Sequence, residues 1–179
     1  MTTHTLSALV ENKPGVLAHV AALFSRRAFN ITSLSVGPTA DERVSRMTIV
    51  VDGASTPVDQ VHKQLEKLVR VLKVVELDED AAVERELALI KVAVRPDRRA
   101  ELLDVAASFR ASVVDLDAET IVLEAVCSPG RLESLLAELD GHGTCELVRS
   151  GMLAIARGSG TITDSHDSSE NSTPQPIPA

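Results

Sequence analysis

The stretch LSALVENKPGVLAHVAALF, residues 6–24, decides the fold. Its apolar run at residues 6–10 is typical of a strand. Apolar residues from position 17 to 24 recur at the spacing of one helical face. Between them lies the polar loop Glu11-Asn12-Lys13-Pro14-Gly15. Proline suits a first helical turn because that turn does not need its N–H. The sequence therefore predicts a strand, a short loop and a helix.

The loop is a candidate site for a small ligand with a carboxylate. A helix N-terminus has unpaired N–H groups and a partial positive charge, which favour an anion. Gly15 allows a ligand to approach the backbone closely. The side-chain amide of Asn12 can donate and accept, which suits the two ends of an amino acid. The alternative is an ordinary strand-to-helix turn, in which Pro14 and Gly15 only end one element and begin the next.

Composition limits the classes of protein that fit. The 179 residues allow one ordinary domain or two small ones, and 44% apolar residues suffice for a core. The net charge of −8 has the wrong sign for a general nucleic-acid binder, and three Phe with no Trp or Tyr argue against base stacking. No apolar stretch has the length of a membrane span, and the N-terminus lacks the regions of a signal peptide. We therefore expect a cytoplasmic protein.

One order of elements occurs twice along the chain. Strands are expected at residues 5–10, 31–36, 44–51 and 71–77, with helices beginning near residues 17 and 58. After an acidic link at residues 78–80, strands are expected at 87–94, 112–116, 120–126 and 145–155, and Ser150-Gly151 offers a point at which the last strand can be interrupted. Helices are expected to begin near residues 96 and 129. Each half thus has the order β-α-β-β-α-β, which gives a four-stranded antiparallel sheet with two helices on one face.

The expected fold class is therefore α+β, with two ferredoxin-like domains in tandem. We place the first domain at residues 1–79 and the second at 80–158. Residues 159–179 are too polar to bury a core and are expected to be disordered. The strands have more apolar positions than a solvated sheet face needs, for example at Val50-Val51 and Val74-Val75. A second copy of the chain would cover this surface, so a homo-oligomer is predicted.

The sequence contains no recognised catalytic or metal-binding pattern. The five His lack zinc-protease spacing, and the nucleophile elbow, the phosphate loop and the dinucleotide fingerprint are not present. Cys127 and Cys145 are isolated and are predicted to be buried free thiols. The run Glu84-Arg85-Glu86 is predicted to lie on a solvated face, and Asp115 and Glu124 at sheet edges. These patterns favour a binding module over an enzyme.

Six segments of the sequence resemble the small, regulatory subunits of acetolactate synthase (acetohydroxyacid synthase). They occur in order and in register at residues 4–17, 24–34, 45–51, 63–69, 83–92 and 148–151. Each segment alone is weak evidence, but six in order over both halves are specific. The resemblance covers residues 4–158.

The resemblance implies a fold and a function. The first half would be an ACT domain, a module that binds amino acids at a dimer interface, and the second half the C-terminal domain of the family. The chain would have no catalytic activity. It would bind the large catalytic subunit, raise its activity and make it sensitive to valine in branched-chain amino acid synthesis. This chain would hold no cofactor, because thiamine diphosphate, FAD and magnesium would belong to the large subunit.

The resemblance also implies an effector site for valine. The family's residues at this site correspond to Asn12, Gly15, Val16, Leu17, Asn30 and Ile31. The ligand carboxylate would meet the N–H groups at the start of the helix. Ala28 departs from the family, which usually has glycine there. If that position is left-handed, alanine costs on the order of 1 kcal/mol.

Two other functions remain open from the residues. The same loop could serve a free-standing ACT-type amino-acid sensor that acts on another partner. A small metabolic enzyme on this scaffold is the third reading, because fold does not dictate function.

Overall fold

The computed structural model describes residues 3–54 and 57–162. Most of the segment predicted to be disordered, residues 163–179, lies outside the described residues. The described residues form two antiparallel sheets, each with two helices on one face.

The first unit contains β1 (Thr3–Glu11), α1 (Val16–Arg26), β2 (Ile31–Pro38), β3 (Val44–Asp52), α2 (Val58–Leu65) and β4 (Val71–Leu77). Its strand order is β2-β3-β1-β4. Alternate residues of β1, Leu6, Ala8 and Val10, pack against buried residues of both helices, which include Phe24 and Leu65. The apolar face of the strand repeats every two residues and that of each helix every 3.6 residues. These faces pack together into one core.

The second unit repeats this arrangement. It contains β5 (Ala82–Ala93), α3 (Arg99–Phe109), β6 (Ser112–Leu116), β7 (Thr120–Cys127), α4 (Pro129–Leu139) and β8 (Thr144–Arg149). Short 3-10 turns precede α3 and follow α4. The strand order β6-β7-β5-β8 matches that of the first sheet. The prediction of two βαββαβ units is confirmed.

A ninth strand pairs with the beginning of β5 in the second unit and lies against the first unit. β9 (Leu153–Ala156) pairs with the first residues of β5, from Ala82 opposite Ala156 to Arg85 opposite Leu153. The strand expected at residues 145–155 is interrupted where Ser150-Gly151 indicated, which gives β8 and β9, whereas β5 begins at Ala82 instead of Leu87. Hydrophobicity did not show this extension, because Glu84 and Arg85 interrupt the apolar pattern.

The chain itself covers part of the open face of the first sheet. Met152 and Ala154 pack on Val50 and Leu77, and Val50 is only 6% exposed. Val50 was one of the residues that we expected a second copy to cover. Its burial within the chain removes it from the reasons for an oligomer.

Three residue-level predictions are wrong. Glu86 is buried instead of solvated, because it forms an ion pair with Arg149. Glu124 lies on β7, between β6 and β5, so it is not at a sheet edge. Cys127 is buried as predicted, but Cys145 is exposed on the outer strand β8.

Among residues 3–54 and 57–162, no helix has both the length and the apolar character needed to cross a membrane.

Candidate functional site

The loop between β1 and α1 has the conformation that only glycine adopts without strain. Gly15 has a φ of 85° and a ψ of −9° at the N-cap of α1. L-residues with a Cβ are disfavoured in this left-handed region, so the glycine is required by the backbone. A Cβ built at Gly15 would meet no atom within 4 Å, so the space before the helix is open.

The N–H groups of the first helical turn have few competitors. The N–H of His19 donates to the carbonyl oxygen of Gly15 at 3.0 Å, an ordinary helical bond. The N–H of Val16 makes only a long contact of 3.4 Å with the carbonyl oxygen of Lys13. α1 has no side-chain cap and no acidic residue in its first turn. A bound carboxylate could therefore accept hydrogen bonds from this turn.

The side chain of Asn12 is fixed by the turn between β2 and β3. Its Nδ2 donates to the carbonyl oxygen of Glu42 at 2.8 Å, and its backbone N–H donates to that of Arg43 at 2.7 Å. Arg43 also donates to Asp41 and lowers the pKa of that carboxyl to about 2, mainly through the side-chain hydrogen bond. Asn12 thus has one donor in use, and its Oδ1 can accept from an ammonium group.

The structure does not bring the six effector residues together within one chain. Asn12, Gly15, Val16 and Leu17 surround the N-terminus of α1, whereas Asn30 and Ile31 follow its C-terminus. An α-helix of 11 residues is about 16 Å long. The register agrees, because Ile31 lies opposite Val51, which pairs with His4, at the far end of β1 from the loop.

The residue two positions before Asn30 is left-handed, so the condition under which alanine costs stability at position 28 is met. Ala28 has a φ of 55°. The N–H of Phe29 donates to the carbonyl oxygen of Phe24 at 3.0 Å, and the two rings pack edge to face, 6.2 Å apart. This turn directs the chain from α1 into β2 and so sets the position of Asn30.

A second feature was missed by sequence reasoning, namely a contact between the two units at Gly151. Gly151 has a φ of 78°, and a Cβ there would lie 2.9 Å from the carbonyl oxygen of Leu34. The adjacent N–H of Met152 donates to Oγ of Ser33 at 2.8 Å. The signals in the sequence were the matching segment at residues 148–151, to which no role was assigned, and the interruption of the last strand at Ser150-Gly151.

Arg149, in the same segment, connects a strand and a helix of the second unit. It donates two hydrogen bonds to Glu86, at 2.8 and 2.7 Å, and one to Glu133 of α4 at 2.8 Å. These carboxylates, Glu86 first, raise the pKa of Arg149 above its usual range. A groove of about 1220 Å³ between the two units is lined by Arg149, Ser33 and several carboxylates.

The described residues do not form a metal centre. No group of three or more His, Cys, Asp or Glu side chains within residues 3–54 and 57–162 is placed to hold a metal ion. His4 instead pairs with Glu76 at 2.7 Å.

Two family models match the chain, one for each unit. The AHAS small subunit-like ACT domain matches residues 6–73. The model described as the small subunit of acetolactate synthase matches residues 85–158.

Individual proteins give the same result. The acetolactate synthase small subunit of Mycobacterium bovis is 52% identical over 156 residues, which are 87% of this chain and 93% of that protein. The probable acetolactate synthase small subunit of Archaeoglobus fulgidus is 46% identical over 87% of this chain and 97% of its own. The crystal structure of the small subunit from Thermotoga maritima superposes with a TM-score of 0.81 at 36% identity, covering 89% of this chain and all of that one.

Proposed function

Because the chain belongs to the family of acetolactate synthase small subunits, we propose that it is a regulatory subunit without catalytic activity. It binds the thiamine-diphosphate-dependent catalytic subunit, raises its activity and makes it sensitive to valine in branched-chain amino acid synthesis. Thiamine diphosphate, FAD and magnesium are held by that large subunit and not by this chain. The complex acts in the cytoplasm.

The observation that supports a valine site is the geometry at Gly15. Its left-handed backbone leaves open space in front of the first turn of α1. The valine carboxylate accepts hydrogen bonds from the N–H groups of Gly15, Val16 and Leu17. The ammonium group donates to Oδ1 of Asn12, which is held in place through its Nδ2.

The proposed site is completed by a second copy of the chain. Asn30 and Ile31 lie at the opposite end of α1 from the loop, so one chain provides only part of the site. β2 is at the edge of its sheet. Antiparallel pairing of β2 with β2 of a second copy places the beginning of one strand near the end of the other. Asn30 and Ile31 of one copy thereby approach the loop end of its partner.

This model assigns a role to each part of the chain. Residues 1–79 form the ACT domain, which binds the effector and dimerises. Residues 80–158 form the C-terminal domain, and residues 159–179 are a tail.

The test is reconstitution with the purified catalytic subunit. The wild-type chain is expected to bind this subunit, raise its rate and confer inhibition by valine. Gly15→Asp should form the same complex but lose the response to valine, because its carboxylate occupies the position of the ligand carboxylate. Gly15→Ala introduces the backbone strain without the charge, so the difference between the alanine and aspartate variants measures the effect of the carboxylate. Gly160→Asp adds the same charge at an open position far along the chain and should respond as the wild type does.

Two outcomes would contradict the proposal. Full valine inhibition with Gly15→Asp would remove the loop from the effector site. Tight valine binding without any affinity for the catalytic subunit would identify a free-standing ACT-type amino-acid sensor instead.

A further inference from the structure

A small cavity lies beside the N-terminus of α1. It has a volume of about 250 Å³ and lies between the first two turns of α1 and residues 67–71, which connect α2 to β4. Asn12, Gly15, Asn30 and Ile31 do not line it. The proposed valine site and this cavity therefore share only Val16, whose backbone N–H serves the first and whose side chain lines the second.

The walls of the cavity are aliphatic. Val16 and Val20 contribute from one face of α1, and Leu68 and Val71 from the connecting segment. Val69 also lines the cavity and is 96% exposed. Removing a large apolar side chain from water is favourable. An aliphatic ligand would cover Val69.

The polar lining of the cavity has a single sign of charge. His19, Lys67 and Arg70 line it together with the aliphatic residues, and no carboxylate does. Within the described part of the chain, neither Lys67 nor Arg70 forms an ion pair. Two cations without partners, beside an aliphatic cavity and a helix N-terminus, favour an anion with an apolar tail.

We propose that this cavity binds a short, branched aliphatic carboxylate without an ammonium group, such as a 2-oxo acid. An amino acid is disfavoured there, because its ammonium group would lie beside the cations Lys67 and Arg70 with no carboxylate among the residues that line the cavity. The volume is about eight times the ~30 Å³ that one water molecule occupies in the liquid. This volume fits 3-methyl-2-oxobutanoate, whose non-hydrogen atoms are about as many as the water molecules that would fill the cavity.

The two sites then distinguish an amino acid from its 2-oxo acid by charge. The loop at Asn12 and Gly15 offers an acceptor for an ammonium group, whereas the cavity has apolar walls, two cations and no carboxylate. Transamination interconverts these two classes of molecule. The chain thereby responds to both sides of that reaction class.

The experiment is a titration of the full chain with 3-methyl-2-oxobutanoate, followed by calorimetry and by backbone amide NMR. The amide signals of residues 67–71 are expected to shift. Val69→Asp introduces a carboxylate at a fully exposed position, so the protein should fold, and affinity should fall by about tenfold or more. Val69→Ala is the matched control and should change affinity much less.

A second pair of variants tests the cations. The double variant Lys67→Ala with Arg70→Ala should also weaken binding by about tenfold or more. Lys63→Ala removes an exposed lysine of α2 that does not line the cavity, and it should bind as the wild type does. Equal binding by 3-methylbutanoate would support the proposal and show that the oxo group does not contribute to affinity.

Three results would overturn the inference. They are unshifted signals at residues 67–71, unchanged affinity in Val69→Asp, and valine binding in the cavity as tightly as the 2-oxo acid. Gly15→Asp keeps the cavity intact, so this variant should still bind the 2-oxo acid. Failure of the valine proposal is therefore distinguishable from failure of this one.

Discussion

Replacement of Gly151 by alanine should weaken the contact between the two units. The left-handed backbone of Gly151 alone costs an alanine about 1–2 kcal/mol. The new Cβ would also lie 2.9 Å from the carbonyl oxygen of Leu34 and 3.1 Å from Oγ of Ser33. Either β2 or the segment around Gly151 must therefore move. We expect a total loss of about 3 kcal/mol in the free energy of unfolding.

Gly143 provides a matched control. Its φ of 83° is as left-handed as that of Gly151, but a Cβ there would meet only the carbonyl oxygen of Ala93, at an ordinary 3.7 Å. Gly143→Ala should therefore lose only the backbone share, about 1–2 kcal/mol. The difference between the two variants isolates the contact with β2.

Urea unfolding followed by circular dichroism measures both variants, since the chain has no Trp or Tyr for fluorescence. Hydrogen exchange adds a local measurement, because the N–H of Met152 donates to Ser33 across the contact. This amide should exchange faster in Gly151→Ala and at the wild-type rate in Gly143→Ala. Equal stability losses in the two variants, with Met152 still protected, would refute the reasoning.

Three further predictions concern single residues. Glu86→Gln should destabilise the protein by about 2 kcal/mol in urea unfolding, because Arg149 loses its charged bidentate partner; an unchanged midpoint would contradict this. Ala28→Gly should stabilise it by about 1 kcal/mol in the same assay, since glycine adopts a φ of 55° without strain; a loss of stability would count against the left-handed turn. Iodoacetamide at pH 8 should modify exposed Cys145 well before Cys127, whose pKa is raised by burial. Mass spectrometry of the peptides would reveal equal rates if burial does not control the reaction.

The elements were predictable because the apolar residues of each half repeat every two positions in strands and every three to four positions in helices. The apolar residues of β1 and β3 repeat every second position, and those of the helices follow one face. The left-handed backbone of Ala28 was raised by the sequence only as a condition, because the family usually has glycine there. The βαββαβ order and the position of the loop between β1 and α1 therefore followed from local sequence.

Contacts between distant segments were not predictable in this way. The residues at 82–85 pair with residues 153–156, and hydrophobic periodicity contains no information on such pairing. Glu86 looked solvated because its partner, Arg149, is distant in sequence. The apolar residues Leu147 and Val148 follow Cys145 closely in sequence, but strand order placed the cysteine on an outer strand. The separation of Asn30 from the loop likewise follows from strand direction and not from any local pattern.

The hydrogen bond between Met152 and Ser33 has a mechanical consequence. Ser33 lies two positions after Ile31 on β2, so the two are about 7 Å apart along the strand. The pairing of β2 with β3 shifts register between these two residues, so Ser33 lies just beyond an irregular point of the strand. A lengthwise slide of β2 at Ser33 would either pull Met152 and the adjoining β9 along or break the 2.8 Å bond. Strand β2 is thus tied at this point to the segment that leads into β9, and a shift of the strand at Ser33 is passed to the second unit there.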